Sequence, residues 1–288
     1  MPVLTAAGRA TNPENRWWLR VDYMNPIQVR QTLTTEFGYC SPKRSCFSKR
    51  LPVWVASPVY YARLMALIYA SSKVALKGKY SRERWAFDSH RILCFVESVG
   101  ARVQISGLRA VAAHSGPLVF IANHMSMLDT FLLPGIILPF HRATFVVKES
   151  LLRYPVFGPI MRAVRPIVVQ RKNPRKDLKV VLDEGGRLLQ MGCSLIIFPQ
   201  STRSATFDAG AFNTLGVKLA KTTGSFVVPV ALKTDFQANG RMIKEMGCVN
   251  PKKDVHIAFG RPMPVKGNGQ AAHQMIIDFI EGHLRRWA

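Results

Sequence analysis

Short apolar runs alternate with segments of helical periodicity from Gly100 to the end of the chain, and this alternation limits the possible folds more than any other feature. The candidate strands are Arg102–Ser106, Leu118–Ala122, Thr144–Val147, Ile167–Gln170, Ser194–Phe198, Phe226–Leu232 and Val255–Phe259. Strands that alternate with helices predict a layered α/β domain. We therefore expect a central mixed sheet flanked by helices over residues 101–288.

Two helices of this region have clear signals. Asn173 is a typical cap residue, and Pro174 follows it at the first helical position, which predicts a helix between the strands that end at Gln170 and begin at Ser194. A second helix is predicted at the C-terminus, where apolar residues recur on one face. That face consists of Ala272, Met275, Ile276, Phe279, Ile280 and Leu284.

The first hundred residues differ from the rest in composition and in periodicity. Residues 1–50 are rich in Thr, Ser, Pro and Arg without a sustained period, so we expect a weakly ordered extension there. The apolar segment 51–72 carries one charge, Arg63, and is interrupted early by Pro52 and Pro58. A membrane-spanning helix needs about 20 apolar residues without such interruptions, so a helix in the membrane interface is favoured. A buried core helix remains an alternative.

A second N-terminal helix is predicted after this segment. Ser81 is a cap residue and Gly100 a stop signal, so the helix should run to Val99. Residues 51–100 would then form a membrane-associating helical pair with many basic side chains. These are Lys73, Lys77, Lys79, Arg82, Arg84 and Arg91.

The net charge of +23 favours partners rich in phosphate or carboxylate groups, namely nucleic acid, an anionic membrane surface or acidic substrates. The basic residues are scattered, and the sequence has neither zinc-finger spacing nor an RNA-recognition pattern. An anionic membrane surface is therefore expected as a partner, and nucleic acid is not. The five cysteines lack metal-ligand spacing, which indicates no metal site and reduced thiols in a cytosolic setting.

His124 differs from the other histidines in its context. It follows the apolar run 118–122 and precedes a predicted helix, with Ser126 as the cap and Asp129 in the first turn. The Asp129 carboxylate can reach back to one imidazole nitrogen and stabilise the imidazolium that forms when the other nitrogen takes a proton. The sequence has no G-x-S-x-G elbow for a serine nucleophile. This suggests that His124 is a general base for a substrate hydroxyl, without a covalent intermediate.

Cationic side chains follow other candidate strands. Lys148 ends one strand, Arg171 ends another, and Arg203 lies in the segment 198–204 that closes a third. Ligands of open α/β sheets collect at such strand ends, and arginine suits a phosphate or a carboxylate. Each cation alone is more typical of a solvated surface, but their shared position beside His124 predicts one site.

In this order and spacing, the residues over about 100–235 resemble the glycerolipid acyltransferases of the lysophosphatidic acid acyltransferase type. The family has an N-H-x4-D box, a strand-end arginine, an F-P-E-G-T-R-S block and an apolar strand with a central proline. The matching residues are Asn123, His124 and Asp129; Arg171; Phe198, Pro199, Thr202, Arg203 and Ser204; and Val227, Val228, Pro229 and Val230.

The resemblance implies transfer of a fatty acyl group from acyl-CoA or acyl carrier protein to a lysolipid hydroxyl, with no further cofactor, at the cytoplasmic face of a membrane. His124 would be the base and Asp129 its orienting partner, and Lys148 would stabilise an oxyanion near the reacting thioester. The implied substrate-binding residues are Asn123, Arg171, Gln200, Ser201, Thr202 and Arg203.

The third block departs from the family pattern. Gln200 and Ser201 replace its glutamate and glycine, and Asp208 replaces a lysine that follows the block. The acceptor is therefore open between lysophosphatidic acid, which is favoured, and another lysolipid such as a lyso-ornithine lipid. A non-catalytic lipid-binding protein is the alternative from a different functional class.

Overall fold

The computed structural model describes residues 25–42, 50–200, 202–240 and 246–288. The helices are α1 (Pro26–Glu36), α2 (Val53–Leu76), α3 (Arg82–Val99), α4 (Leu108–Ala112), α5 (Met127–Ile137), α6 (Phe157–Ala163), α7 (Pro174–Gln190), α8 (Leu215–Thr223) and α9 (Gln270–Trp287), with a 3-10 helix at Glu149–Arg153. The strands are β1 (Tyr39–Cys40), β2 (Val103–Ser106), β3 (Leu118–Ala122), β4 (Ala143–Lys148), β5 (Ile167–Val169), β6 (Ser194–Ile197), β7 (Phe226–Lys233) and β8 (Val255–Phe259).

The strands form one mixed sheet in the order β1-β2-β8-β7-β3-β6-β4-β5. The run from β7 through β3, β6 and β4 to β5 is parallel, whereas β8 is antiparallel to β7 and β1 is antiparallel to β2. Parallel strands end at the same edge of a sheet, so the loops after β3, β4, β5 and β6 share that edge. The predicted mixed sheet flanked by helices is confirmed.

β3 lies in the middle of the sheet and is buried on both faces, as its continuous apolar run predicts. Phe120 faces a core that includes residues of α1, α2, α3, α5 and α6, whereas Ile121 faces a second core that includes residues of α7, α8 and α9. The alternation of side chains along a strand therefore assigns the helices to two layers. The residues that follow β3 therefore start from a strand that is packed on both faces.

The predicted helix ends agree with the structure. Ser81 accepts a hydrogen bond from the Arg84 backbone, and Gly100 ends α3 with a positive φ of 116°. Asn173 caps α7 by accepting hydrogen bonds from the first-turn backbone, and Pro174 occupies its first position. Local cap chemistry therefore fixed these boundaries.

Part of the segment predicted to be weakly ordered is regular structure, so that prediction is wrong for residues 25–42. Asn25 and Gln28 form a capping box that starts α1, and Val29 and Leu33 pack into the core. Tyr39 and its neighbour in β1 then pair with β2. The rest of the predicted extension, residues 1–24 and 43–49, lies outside the described residues.

The boundary predicted near residue 100 does not separate two cores. α3 buries Leu93 and Val96 in the same core as β3, and Ala56 and Tyr60 of α2 belong to that core as well. Both helices of the predicted membrane-associating pair thus pack on the same core as the sheet. The helix pair is a layer of the α/β domain.

One face of α2 is buried in the core, as the core-helix alternative predicts, and the opposite face is exposed and apolar. Its outer face carries Trp54, Met65, Tyr69 and Leu76, and the Trp54 side chain is 79% exposed. Pro58 lies in the second turn of α2, and the helix continues through it. Among the described helices, α2 is the one that is long and apolar enough to cross a membrane by length and composition.

The turn between β2 and α4 should tolerate only glycine. Gly107 has a φ of 85°, and an added Cβ would lie 1.9 Å from the Phe259 carbonyl oxygen. We expect Gly107→Ala to lower the free energy of unfolding by about 3 kcal/mol, since backbone strain and a clash with a buried strand add together.

Gly78→Ala is the matched control for this prediction. Gly78 also has a positive φ, 68°, but an added Cβ would meet no atom within 4 Å. It should cost about 1 kcal/mol from conformation alone. Equal losses for the two variants in urea titrations would show that the contact with Phe259 is unimportant.

Candidate active site

The turn between β3 and α5 places His124 beside Asp129. Ser126 caps α5 and accepts a hydrogen bond from the Leu128 N–H, which puts Asp129 in the first helical turn. His124 Nδ1 lies 2.8 Å from Asp129 Oδ2, and the Asp129 side chain is 0% exposed. The predicted pair is therefore in hydrogen-bond contact, with Nε2 left as the second ring nitrogen for proton transfer.

Asp129 is held on both of its carboxylate oxygens. Oδ2 accepts the backbone N–H groups of Met125 at 2.7 Å and Ser126 at 3.0 Å in addition to His124. Oδ1 accepts the hydroxyl of Thr234, which follows β7. Asp129 also lies at the N-terminus of α5, where the helix dipole favours negative charge. These contacts give the carboxylate a single orientation toward His124.

Residues of the segment 198–204, which is the third motif of the resemblance, contact both the ring and the backbone of His124. The ring of Phe198 stacks on the imidazole with centroids 4.1 Å apart and an angle of 18° between the planes. Gln200 Oε1 accepts the His124 backbone N–H at 2.8 Å, and the Ser204 N–H donates to the His124 carbonyl at 2.9 Å. Gln200 was predicted to bind substrate, and its observed contact is with the backbone of His124.

Asn123 requires a correction, because it does not face the site. Its side chain is 1% exposed. Its amide nitrogen donates to the Leu232 carbonyl and its amide oxygen accepts from the Leu232 N–H, both at 2.8 Å. Asn123 therefore joins the end of β3 to β7, and the prediction that it contacts substrate is not supported by its position.

His124 lies on the wall of a cavity of about 1090 Å³. One part of the wall is apolar and is supplied mainly by α2, α3, α5, α6 and β4. Its members include Leu67, Ile68, Trp85, Ile92, Phe131, Phe145, Phe157, Ile160 and Met161. The other part is polar and is supplied by the loops that follow the parallel strands, and by α8. Phe198 contacts both kinds of wall, because its ring stacks on Phe145 and on the His124 imidazole.

The predicted cations lie on the polar part of this wall. Lys148, Arg171 and Arg203 all line the cavity, and so does Thr202. Arg171 adopts a positive φ of 58°, and its backbone N–H donates to Asp177 Oδ2 at 2.8 Å. The three cations come from the ends of three different strands, and the fold brings them to one cavity. Ser201, which was also predicted to bind substrate, lies outside the described residues.

Lys218 of α8 also lines the cavity, and the sequence analysis missed it. It is an exposed lysine on an amphipathic helix, where a lysine is ordinarily only a solvated charge. Asp208, by contrast, is exposed and does not line the cavity. Its carboxylate accepts the Gly210 N–H at 2.9 Å and so closes its own turn. The replacement of the family lysine by Asp208 therefore adds no anion to the wall.

The apolar part of the wall includes one polar cluster. Asp88 of α3 is buried and accepts hydrogen bonds from Ser71 Oγ at 2.5 Å and Arg84 Nε at 3.0 Å. Burial and the neighbouring Asp88 carboxylate raise the pKa of Tyr80 far above its usual range. The hydroxyl of Tyr80 is therefore neutral, and it offers a proton rather than a negative charge.

Neither a thiol nor a metal-binding cluster lies on the part of the cavity wall that the structure describes. Of the cysteines that the structure describes, Cys40, Cys94, Cys193 and Cys248, none lies on the cavity wall. Within the same described ranges, no group of His, Cys, Asp and Glu side chains is arranged to hold a metal ion. The charged groups of the described wall are the His124 imidazole, which Asp129 partners, the four cations Lys148, Arg171, Arg203 and Lys218, and the carboxylates of Asp88 and Asp177.

Known proteins were compared with the chain. The acyltransferase family model matches residues 102–233. The site residues described above lie within this range, except for Thr234, Tyr80 and the residues of α2 and α3. The 1-acyl-sn-glycerol-3-phosphate acyltransferase of Pseudomonas aeruginosa is 29% identical over 173 residues, which is 60% of this chain and 63% of that protein. The lyso-ornithine lipid O-acyltransferase of Rhizobium meliloti is 30% identical over 115 residues, 40% of this chain and 36% of that protein. The chain thus spans less than two thirds of the length of these relatives.

A solved structure has the same fold. The 1-acyl-sn-glycerophosphate (LPA) acyltransferase PlsC from Thermotoga maritima superposes with a TM-score of 0.63 at 17% identity, covering 81% of this chain and 95% of that chain. At this identity the match speaks for the fold alone. The family model and the sequence relatives confirm the resemblance that the ordered motifs indicated. Over residues 102–233 the chain matches the acyltransferase family, and it is similar to 1-acyl-sn-glycerol-3-phosphate acyltransferases.

Proposed function

We propose that this protein transfers a fatty acyl group from a thioester donor to the hydroxyl of a lysophospholipid, converting lysophosphatidic acid to phosphatidic acid. The observation that carries the proposal is the His124–Asp129 pair on the wall of a cavity that is apolar on one side and cationic on the other. An acyl chain suits the first side, and a phosphate-bearing glycerolipid suits the second.

In the proposed reaction, His124 Nε2 takes the proton of the acceptor hydroxyl as its oxygen attacks the thioester carbonyl carbon. Asp129 stabilises the imidazolium through Nδ1. Collapse of the tetrahedral intermediate breaks the carbon–sulfur bond, and the thiolate leaves with the proton that His124 gives up. The ester forms directly, so no acyl-enzyme is required.

Lys148 is proposed to stabilise the oxyanion of that intermediate. It lies at the end of β4 on the cavity wall, and the neighbouring residues Phe145 and Val147 belong to the apolar part. A cation beside the apolar wall would lie close to the thioester carbonyl, because that carbonyl joins the acyl chain to the sulfur atom. The donor is acyl-CoA or an acyl carrier protein, and both present the same thioester.

The proposed acceptor carries a phosphate, because the polar wall is rich in cations. Arg171, Arg203 and Lys218 line it. Gln200 keeps the hydrogen bond to the His124 backbone that an acidic residue could also make, but it does so without a negative charge near the phosphate. Asp208 points into its own turn. Neither departure from the family pattern therefore opposes a phosphate.

The outer face of α2 is proposed to rest in the interface of the membrane that supplies the lysolipid. Trp54 and Tyr69 are exposed there, and these amphipathic rings favour the headgroup level. The opposite face of α2 is packed on the body, which favours a helix that lies in the interface over one that spans the bilayer. Reduced thiols and the charge of +23 favour the cytoplasmic leaflet, where anionic lipids attract basic proteins.

The first prediction concerns the base. We expect His124→Gln to reduce acyl transfer by about a thousand-fold or more and Asp129→Asn by about a hundred-fold or more, since base and orienting carboxylate act together. Product formation from labelled donor and lysophosphatidic acid measures this, with circular dichroism to confirm the fold. His256→Gln is the control, because His256 lies away from the cavity against Trp287. Full activity of His124→Gln would identify a lipid-binding protein or a different base.

The second prediction concerns the headgroup. In a panel of lysolipids, lysophosphatidic acid should be the preferred acceptor over phosphate-free lyso-ornithine lipid. Arg203→Ala should raise the KM for lysophosphatidic acid by roughly ten-fold or more, because a charge-assisted hydrogen bond is lost. Arg187→Ala, which removes an exposed cation paired with Glu184, should leave it unchanged. If lyso-ornithine lipid were preferred, the proposal of a phosphate-bearing acceptor would be wrong, whereas the proposal of acyl transfer would stand.

The third prediction concerns the membrane. Replacing Trp54 and Tyr69 by Asp should reduce binding to vesicles that contain anionic lipid by roughly ten-fold or more in sedimentation assays, since apolar contact is lost and repulsion is added. Met191→Asp is the control, because Met191 is as exposed as Tyr69, at 55%, but caps the C-terminal end of α7 in the other helix layer. Equal binding of all these proteins would exclude α2 as the membrane contact.

A further inference from the structure

Thr234 is buried at the point where β7 reaches the active site. It follows Lys233, the last residue of β7, and its exposed fraction is 0%. The backbone just before it is fixed by the two hydrogen bonds between Leu232 and Asn123. The position of the Thr234 hydroxyl is thus set by the central strand pair β3–β7, independently of α5.

The Thr234 hydroxyl is part of a directed series of hydrogen bonds. Ser126 Oγ donates to Thr234 Oγ1 at 3.0 Å, and Thr234 Oγ1 donates to Asp129 Oδ1. Ser126 Oγ in turn accepts the Leu128 N–H at 3.2 Å. Each hydroxyl has one proton and the Asp129 carboxylate can only accept, so Thr234 donates to Asp129 and can only accept from Ser126.

We propose that Thr234 is a positioning residue of the base, acting through Asp129 with Ser126 as its support. The inference rests on the proposed function, since it names a further residue of the same acyl-transfer site. Without Thr234, the Asp129 carboxylate could turn about its Cβ–Cγ bond, because its other contacts all involve Oδ2 and none holds Oδ1. With Thr234 in place, the oxygen that faces His124 is always Oδ2.

Thr234 therefore affects the reaction and not the binding of the acceptor. It does not line the cavity, so it touches no substrate. Loss of its hydroxyl leaves Oδ1 buried without that donor and loosens the alignment of the imidazole. Because the alignment matters only when the proton is transferred, kcat should fall while KM stays the same.

Thr234→Val keeps the volume of the side chain and removes its hydroxyl, and Thr234→Ser restores the hydroxyl. We expect kcat to fall roughly ten-fold to a hundred-fold in the valine variant with KM within about two-fold, and the serine variant to stay within about three-fold of the wild type. Thr144→Val is the matched control, because Thr144 is also buried and its hydroxyl bonds to the Val164 carbonyl away from the cavity.

A double-mutant cycle separates positioning from a general loss of structure. If Thr234 acts through Asp129, then Thr234→Val should change kcat by less than about two-fold in the Asp129→Asn background. A full additional loss there would overturn the proposal. So would a valine variant with wild-type kcat, or a serine variant as impaired as the valine variant while both remain folded by circular dichroism.

A readout without substrate keeps this inference separate from the proposed function. The proton on His124 Nδ1 should give a low-field NMR signal that disappears in His124→Gln. Thr234→Val should shift or broaden this signal, and Thr144→Val should not. A shifted signal in a protein that acylates no lysolipid would retain the positioning role and reject the proposed function. An unchanged signal in an active protein would reject the positioning role.

Discussion

The hydrogen bond between His124 Nδ1 and Asp129 Oδ2 is the interaction on which the proposed chemistry depends, and it requires two rigid supports. One is the N-terminus of α5, whose backbone N–H groups hold the carboxylate. The other is the end of β3, which Asn123 joins to β7. A short turn between a central strand and a helix satisfies both needs. An exposed loop could not hold the imidazole with the same accuracy.

The order of the strands explains why one cavity has both a cationic and an apolar wall. β3, β4, β5 and β6 are parallel neighbours, so the loops that follow them bring Lys148, Arg171 and Arg203 to one edge. The helices that cover one face of the sheet supply the apolar wall beside that edge. Phe198 contacts both surfaces, and its ring stacks on the His124 imidazole. An amphipathic substrate can therefore place its polar reacting group at the imidazole while its chain remains out of water.

The sequence predicted what depends on neighbouring residues. The strands after Gly100 and the caps at Ser81 and Asn173 are local features, and the His124–Asp129 pair spans one turn. Contacts between distant residues were not predictable in this way. Asn123 bonds to Leu232, 109 positions away, and Thr234 bonds to Asp129 across 105 positions. Local spacing contains no signal for such pairs, so Asn123 was read as a substrate contact and Thr234 was missed. The capping box at Asn25 was a local signal for α1. However, α1 buries only two apolar side chains, Val29 and Leu33, so the segment shows no sustained apolar period.

The central claim is direct acyl transfer to a hydroxyl that His124 activates. Two-substrate kinetics test it most directly, with initial rates measured while the acyl donor and lysophosphatidic acid are both varied at a fixed lipid surface. Transfer within one ternary complex predicts reciprocal plots that intersect. Parallel plots, together with acyl label retained on protein that was mixed with donor alone, would indicate an acyl-enzyme and contradict the account.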